Sequence, residues 1–199
     1  MRAEPPGLPR WAERFVAALG LALLWPLLAL LALLVRLESP GSPLFLQERI
    51  GRGGRPFRIY KLRTMRADAA TRDLSVRDFG TFIFTPPHDA RRTRLGAVLR
   101  RTSIDEAPQL LNVLRGEMAL IGPRPEMSEI VAQYPPAYHR RHDVRPGLTG
   151  LAQVHGRADL TAGETIAYDL AYARRRSPRL DVSLLMRTVT VVLRKTGAR

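Results

Sequence analysis

Two adjacent carboxylates, Asp105 and Glu106, precede Pro108 in the chain. Pro108 has no amide hydrogen, and a proline is best accommodated in the first turn of a helix. The sequence therefore predicts a helix over 105–115 whose cap lies at or after Asp105. At such a helix start, free amides and the positive end of the helix dipole favour ionised carboxylates and also attract phosphate. A plain capping pair also explains the two acids, without any catalysis.

Cations lie close to this pair in the sequence. Five arginines occupy eleven residues shortly before it, with no acid among them, at Arg91, Arg92, Arg94, Arg100 and Arg101. Two neighbouring carboxylates suit Mg²⁺, which usually takes one or two carboxylates together with substrate phosphates. The residue types therefore predict a site where an anionic substrate, a metal ion and a nucleophile meet.

Composition excludes several other kinds of chemistry. The 199 residues include no cysteine, which removes disulfides, thiolate zinc sites and thiol nucleophiles. His139 and His142 are three residues apart, but no nearby pattern supports a transition-metal site.

The formal net charge of +14 suits nucleic acid, lipid headgroups or diphosphates. No helix-turn-helix, zinc-finger or aromatic RNA-binding signature is present, and a membrane-tethered nucleic-acid-binding protein or a non-catalytic membrane scaffold stay as alternatives.

A hydrophobic segment near the start of the chain predicts membrane attachment. Every residue of 15–35 is hydrophobic except Gly20 and Pro26, and a helix of that length is about 31 Å long, the thickness of the hydrocarbon core of a bilayer. The segment is longer than the apolar part of a signal peptide, and no small-residue cleavage site follows it. Pro26, preceded by Trp25, predicts a break or bend at the centre of this helix.

Two topologies are open for this helix. Its length and central proline, taken alone, favour a tilted, kinked helix that spans the bilayer. Basic residues flank it on both sides, with Arg10 and Arg14 before it and Arg36 after it. The positive-inside bias draws each flank to the cytoplasmic face, so a kinked re-entrant helix that enters and leaves by the same leaflet satisfies both ends.

The remaining pattern predicts short elements that place the acids beside the membrane. Turn residues at 40–43 and 51–54 bound two short strands predicted over 44–50 and 55–63, and the glycine-rich turn between them lacks the Gly-Lys-Ser/Thr of a phosphate-binding loop. A short helix followed by a loop is predicted over 67–87, and helices over 95–101 and 160–176. Asp181 is predicted to cap a final amphipathic helix that ends at Lys195, and this helix either lies flat on a membrane or packs into the core.

Several motifs occur in order along most of the chain. They lie at 45–51, 57 with 61–65, Asp89 with Arg91 and Thr93, 103–109, 122–126, 145–150, Gln153 with 156–157, and Tyr168 and Asp169 with Tyr172. Together they resemble the motifs of the bacterial sugar transferases, also called monotopic phosphoglycosyl transferases. The chain is similar to the small form of that family, which consists of the catalytic domain alone.

This resemblance implies a reaction. The family transfers a sugar 1-phosphate from a UDP-sugar to a polyprenyl phosphate such as undecaprenyl phosphate and releases UMP, in the first membrane step of bacterial glycan or exopolysaccharide biosynthesis. The resemblance implies that Asp105 is the nucleophile that forms a covalent phosphosugar intermediate. It also implies that Asp105 and Glu106 bind Mg²⁺, which neutralises charge on the transferring phosphoryl oxygens together with nearby arginines.

The resemblance also implies a set of substrate-binding residues. Pro123, Arg124 and Pro125 resemble the family's nucleotide-contacting motif, and Asp169 is expected to orient an arginine rather than to react. For any single arginine in this set, a solvated or lipid-facing position is as good an explanation as a role in substrate binding. The candidate ligands of phosphate or carboxylate groups are Lys61, Arg63, Arg100, Arg145 and Arg157.

The expected fold is α+β, predominantly helical with a small β-hairpin and amphipathic interfacial helices. Residues 1–38 are expected to form a membrane-embedded re-entrant helix, broken at Trp25 and Pro26, and residues 39–199 a catalytic domain. The resemblance places this domain on the cytoplasmic face of the bacterial inner membrane, beside the anionic lipids of the inner leaflet and without a nucleic-acid partner. It leaves a homodimer open.

Overall fold

The hydrophobic segment forms one long helix, α1 (Arg10–Glu38), in a computed structural model that describes residues 3–66, 74–83, 89–156 and 159–194. The helix ends at Glu38, and its C-cap Ser39 has extended backbone, because Pro40 disfavours helical backbone in the residue before it. Among the described residues, α1 is the one helix that is long and apolar enough to cross a membrane. It continues through Trp25 and Pro26 without interruption, and a bend there stays a prediction.

Helix α1 has two different faces. Positions on one face are buried or half-buried along its whole length, and this face contacts several later elements. Those positions are spaced by three or four residues, at Glu13, Ala17, Leu21, Leu24, Leu28, Leu31 and Val35. The opposite face exposes large apolar side chains, among them Phe15, Leu19, Leu23, Leu30 and Leu37. The buried spacing is that of a helix packed on a protein core, while the exposed face suits lipid.

A β-hairpin follows α1, as predicted. Strand β1 (Leu44–Ile50) pairs antiparallel with β2 (Pro56–Leu62), and β2 begins one residue later and ends one residue earlier than predicted. Gly53 and Gly54 have positive φ in the connecting turn, a backbone conformation that favours glycine. The pairing sets Phe45 opposite Lys61. Because side chains alternate between the two faces of a strand, Phe45, Gln47, Arg49 and Lys61 share one face of the hairpin.

The predicted helix over 105–115 is wrong in two respects. After α2 (Arg94–Thr102), residues Ile104–Gln109 form a 3₁₀ helix, and only Leu110–Arg115 are α-helical (α3). Pro108 accounts for the difference, because its ring clashes with the preceding turn of an α-helix and it donates no hydrogen bond. The cap also lies earlier than predicted, at Ser103, whose φ of 58° is left-handed. Asp105 and Glu106 do lie in the first turn, as expected.

A second small sheet follows, in which β3 (Ala119–Ile121) and β4 (Gly147–Thr149) pair in parallel. The segment between them contains α4 (Ser128–Val131) and a 3₁₀ helix, Pro136–Asp143. Gly147 allows the two backbones to meet, since a Cβ atom there would lie 2.0 Å from the Gly122 amide nitrogen. The loop over 122–126, which follows β3 and is called the Arg124 loop below, starts from this contact.

Three helices complete the described chain: α5 (Leu151–His155), α6 (Ala162–Arg175) and α7 (Pro178–Arg194). Thr161 and Glu164 form a capping box at the start of α6. The predicted cap at Asp181 is wrong, because α7 begins at Pro178 and Asp181 is fully buried inside it. Its carboxylate accepts hydrogen bonds from the Tyr172 hydroxyl (2.7 Å) and the Leu8 amide (2.9 Å). Lys195 lies outside the described residues.

The main hydrophobic core joins α1 to the rest of the chain. Ala17 of α1 lies in one cluster with Ile59, Val113, Ile121 and Leu184, all almost completely buried. Leu184 shows that α7 packs into the core on one side, while Val182, Met186 and Val189 are exposed on the other. Within 67–87, residues 74–83 contain turns and no helix, and the remainder lies outside the described residues. The division of the chain into a membrane-embedded segment, 1–38, and a catalytic domain, 39–199, stays a prediction.

Burial of His142 predicts a loss of stability in mild acid. This side chain is 8% exposed and stacks on Tyr134, and burial lowers its pKa from an ordinary 6.5 to about 3. Between these values the unfolded chain binds a proton that the folded chain does not, so the free energy of unfolding falls as the pH falls below 6.5. At pH 5.5 the loss is about 1.4 kcal/mol.

Urea unfolding followed by circular dichroism in detergent at pH 7.5 and 5.5 measures this loss. We expect His142→Gln to reduce the pH dependence by about this amount and His139→Gln, at an exposed position, to keep most of it. An unchanged pH dependence in His142→Gln would contradict the assignment.

Candidate active site

Glu106 is held by two cations from distant parts of the chain. Lys61 Nζ of β2 lies 2.7 Å from Glu106 Oε1, and Arg124 donates to both carboxylate oxygens, at 2.6 and 3.1 Å. Burial favours the protonated acid, but Arg124 and Lys61 outweigh it and hold the pKa of Glu106 well below its usual range. Glu106 is therefore a fixed anion that ties the hairpin, the 3₁₀ helix and the Arg124 loop together.

Asp105 is buried beside this group, but its carboxylate is not held by cations in the same way. The residue is 5% exposed, and no hydrogen bond or ion pair to its carboxylate occurs within the described part of the chain. Burial, followed by the negative charge of Glu106, raises its pKa, while Lys61, Arg100 and Arg124 oppose the shift. An unpartnered buried carboxylate is costly for the fold, so this group is left available for a ligand or a reaction.

Arg100 completes the positive side of the site. It lies near the end of α2, and its Nε donates to the Thr64 hydroxyl at 2.9 Å. Burial lowers its pKa while Asp105 raises it, so its charge acts on that carboxylate. With Lys61 and Arg124 it gives three cations against two carboxylates. The structure thus brings together Lys61, Arg100, Asp105, Glu106 and Arg124 from the predicted set.

The site has the donor chemistry for Mg²⁺, with Asp105 as its clearest ligand. Within the part of the chain that the structure describes, no other residue binds the Asp105 carboxylate, whereas the oxygens of Glu106 already accept hydrogen bonds from Lys61 and Arg124. Among the residues placed by the structure, no cluster of three or more metal-ligating side chains occurs. A Mg²⁺ ion typically completes such a site with phosphate oxygens and water. Direct ligation by Glu106 stays a prediction.

The Arg124 loop is held through its main chain by two further arginines. Arg141 Nη2 donates to the Arg124 carbonyl (2.8 Å), and Arg49 Nη1 to the Pro125 carbonyl (3.2 Å). Each arginine has its own buried carboxylate: Arg141 is paired with Asp169, and Arg49 lies 3.4 Å from Glu126. A buried arginine without such a partner would destabilise the fold by several kcal/mol. These two ion pairs therefore position the guanidinium that holds Glu106.

Sequence reasoning found part of this support. Asp169 is expected to orient an arginine, and in the structure it pairs with Arg141, while its role in substrate binding stays a prediction. Arg49 and Glu126 occur in matched motifs but were not assigned a role. Nothing in the sequence indicates that Arg141 is buried, at 1% exposed, while its neighbour Arg140 is exposed.

Two predicted ligands lie away from Asp105 and have other partners. Arg63 binds the end of α1 by donating to the carbonyls of Val35 (3.3 Å), Ser39 (2.6 Å) and Pro40, a common way to satisfy the free carbonyls of a helix end. Arg145 donates to Glu13 Oε2 of α1 at 2.7 Å. Their roles in substrate binding stay predictions. Arg157 lies outside the described residues.

Three cations around a buried carboxylate suit chemistry on phosphates, and α1 exposes an apolar face of the kind that contacts lipid. A sequence model of the family described as bacterial sugar transferase matches residues 7–195, and the chain belongs to that family.

Curated relatives cover most of the chain. A UDP-N-acetylgalactosamine-undecaprenyl-phosphate N-acetylgalactosaminephosphotransferase of Aeromonas hydrophila is 41% identical over 96% of this chain, and a UDP-glucose:undecaprenyl-phosphate glucose-1-phosphate transferase of Caulobacter vibrioides is 45% identical over 92%. The chain spans 45% and 68% of these two proteins. The exopolysaccharide production protein PSS of Rhizobium leguminosarum is 40% identical over 92% of this chain, which spans 93% of it.

The coupling between the two acids predicts a pKa change. Replacing Glu106 by Gln removes the negative charge that, after burial, contributes most to the raised pKa of Asp105. The pKa of Asp105 should therefore fall, and its carboxylate should stay ionised at lower pH. A carbon-13 NMR titration of the aspartate carboxyl carbons measures this, with Asp105 assigned by the signal missing from Asp105→Asn.

The matched control is Glu48→Gln, which removes a charge from an exposed position on the other face of the hairpin. We expect it to leave the titration of Asp105 in place. A pKa of Asp105 that is unchanged or higher in Glu106→Gln is incompatible with direct coupling of the two acids.

Proposed function

We propose that this chain is an enzyme that transfers a sugar 1-phosphate from a UDP-sugar to undecaprenyl phosphate and releases UMP, in the first membrane step of glycan or exopolysaccharide assembly. The buried, unpartnered carboxylate of Asp105 beside Lys61, Arg100 and Arg124 carries this proposal. Relatives named as undecaprenyl-phosphate sugar phosphotransferases, 41% and 45% identical, support the substrate class.

The first half of the reaction uses Asp105 as nucleophile. Its carboxylate attacks the sugar-bound phosphorus of the UDP-sugar, a new bond forms between that phosphorus and a carboxylate oxygen, and the bond to the bridging diphosphate oxygen breaks. UMP leaves with that oxygen and its electron pair. Lys61, Arg100 and Arg124 face the negative charge that moves onto the phosphoryl and leaving oxygens.

The second half regenerates the aspartate. An oxygen of undecaprenyl phosphate attacks the same phosphorus, the phosphorus–carboxylate bond breaks, and the product is a sugar linked to the lipid by a diphosphate. The donor and the acceptor use the site in turn. This order suits a site at a membrane surface, because the soluble and the lipid substrate are never required together.

The two acids have separate tasks in this scheme. Glu106 keeps Lys61 and Arg124 in position, and its negative charge prevents these cations from binding Asp105 permanently. Mg²⁺, bound by Asp105 with phosphate oxygens of the donor, would neutralise diphosphate charge and favour the ionised form of Asp105. The Arg124 loop, with Pro123 and Pro125, is the proposed contact for the nucleotide.

The packing of α1 supports a monotopic placement on the cytoplasmic side of the inner membrane. One face of α1 contacts the rest of the chain from Glu13 to Val35, a length of about 33 Å. A bilayer-spanning α1 would carry the polar parts of this domain into hydrocarbon, at high cost. Entry and exit by the same leaflet avoid that cost and keep both basic flanks beside anionic lipid.

Loss of the nucleophile should stop the first half of the reaction. We expect Asp105→Asn to lower UMP release from a UDP-sugar, measured without lipid acceptor, by about 10³-fold or more. A panel of UDP-sugars assayed with the unaltered protein identifies the donor.

The control is Arg187→Ala, which removes a charge from an exposed position of α7 and should keep most of the activity. Full turnover by Asp105→Asn would refute the role of Asp105. Binding of a UDP-sugar without UMP release by the unaltered protein would refute the enzyme itself.

Topology has its own test. Because the chain lacks cysteine, one cysteine in a tag before Arg10 and, separately, Ser42→Cys at an exposed position report the two ends of α1. We expect a membrane-impermeant maleimide to label neither site in spheroplasts and both after lysis, since both flanks lie in the cytoplasm. Labelling of the tag in intact spheroplasts would show that α1 spans the membrane.

A further inference from the structure

One face of the hairpin leads from the end of α1 into the site. Phe45, Gln47 and Arg49 alternate along β1 on this face, and Phe45 is paired directly with Lys61 of β2. Arg49 contacts the Arg124 loop, and Lys61 contacts Glu106. The β1 side chains of this face are thus polar at Arg49, which meets the Arg124 loop, and apolar at Phe45, the end nearest α1, while Ile59 and Phe57 of β2 lie opposite Gln47 and Arg49.

Phe45 is exposed although it lies beside a buried ionic site. It is 43% exposed, and Leu37, Leu44 and Leu46 nearby in the chain are exposed as well. The connection from α1 is fixed close by, because the Arg63 amide donates to the Pro43 carbonyl at 2.8 Å and its guanidinium holds the end of α1. Exposed apolar side chains of this kind, which follow a helix with an exposed apolar face, suit a contact with lipid.

The neighbouring side chains divide this surface into two parts. Phe45 points to the same side of the hairpin as Lys61, whereas Leu44 and Leu46 point to the opposite side. Leu44 and Leu46 therefore suit general contact with the membrane. Phe45 is the exposed apolar side chain paired directly with a cation of the reaction site.

We propose that Phe45 binds the first isoprene units of the polyprenyl acceptor while the acceptor phosphate reaches Lys61 and Asp105. This inference rests on the proposed function and assigns the acceptor's tail to the α1 end of the hairpin face. The chemistry of the acceptor supports the assignment. An isoprenoid phosphate joins an apolar chain to an anion, and the hairpin places the apolar side chain of Phe45 next to the cation of Lys61. The nucleotide occupies the other end, at the Arg124 loop.

The test compares Phe45→Ala with Leu46→Ala, which removes a similar apolar side chain from the opposite face of the same strand. We expect Phe45→Ala to raise the KM for undecaprenyl phosphate about tenfold in nanodiscs. The KM for the UDP-sugar and the rate of UMP release without acceptor should not change. Phe45→Leu should recover most of the loss, and Leu46→Ala should keep the original KM for the acceptor.

A short acceptor distinguishes a loss of binding to the acceptor's tail from a loss of membrane attachment. Geranyl phosphate contains only two isoprene units, so Phe45→Ala should raise its KM by a similar factor in detergent solution. A defect with undecaprenyl phosphate in nanodiscs but not with geranyl phosphate would assign Phe45 to membrane attachment and overturn the inference. A changed KM for the UDP-sugar would instead assign Phe45 to the donor, and it too would overturn the inference.

Direct binding separates this inference from the proposed function. Calorimetric titration of geranyl phosphate into the protein without UDP-sugar compares the same variants with no turnover. About tenfold weaker binding to Phe45→Ala than to Leu46→Ala supports the subsite even if no UDP-sugar is consumed, whereas equal binding refutes it. Failure of the unaltered protein to release UMP from any UDP-sugar refutes the proposed function alone.

Discussion

The contact of Glu106 with Lys61 and Arg124 is the interaction on which the arrangement of the site depends. It joins three segments that are far apart in the sequence: the second strand of the hairpin, the 3₁₀ helix after α2 and the loop after β3. Because Glu106 occupies these two cations, Asp105 has no hydrogen-bond or ion-pair partner among the described residues, although both cations lie close to it. Without Glu106, both cations would be free to pair with Asp105, the proposed nucleophile.

The membrane helix belongs to the same structure as the site. Glu13 of α1 accepts hydrogen bonds from Arg145 (2.7 Å) and from the amide of Leu120 in β3 (3.2 Å), the strand that leads into the Arg124 loop. Arg63, which follows β2, holds the other end of α1. Both ends of α1 are therefore fixed to elements that carry site residues. A membrane bound to the exposed face of α1 would therefore lie at a fixed distance from the site.

Local patterns were sufficient to predict some of this from the sequence. Proline and glycine turn residues predicted the hairpin, and the hydrophobic run predicted α1, because both depend on neighbouring residues. The acid pair in a first helical turn was also predicted, although Pro108 produces a 3₁₀ helix there. Long-range partners were not predictable in this way. No local sequence pattern shows that Arg63 binds the end of α1 or that Arg145 binds Glu13. The same is true of the hydrogen bond that buried Asp181 accepts from Tyr172.

The central claim is that Asp105 is free in order to form a bond to phosphorus. Mass spectrometry of the protein incubated with its UDP-sugar, without lipid acceptor, tests this most directly. The claim predicts a mass increase of one phosphosugar on the peptide that contains Asp105, and loss of this adduct when undecaprenyl phosphate is added. Continued turnover with no adduct, or an adduct on another residue, would contradict it.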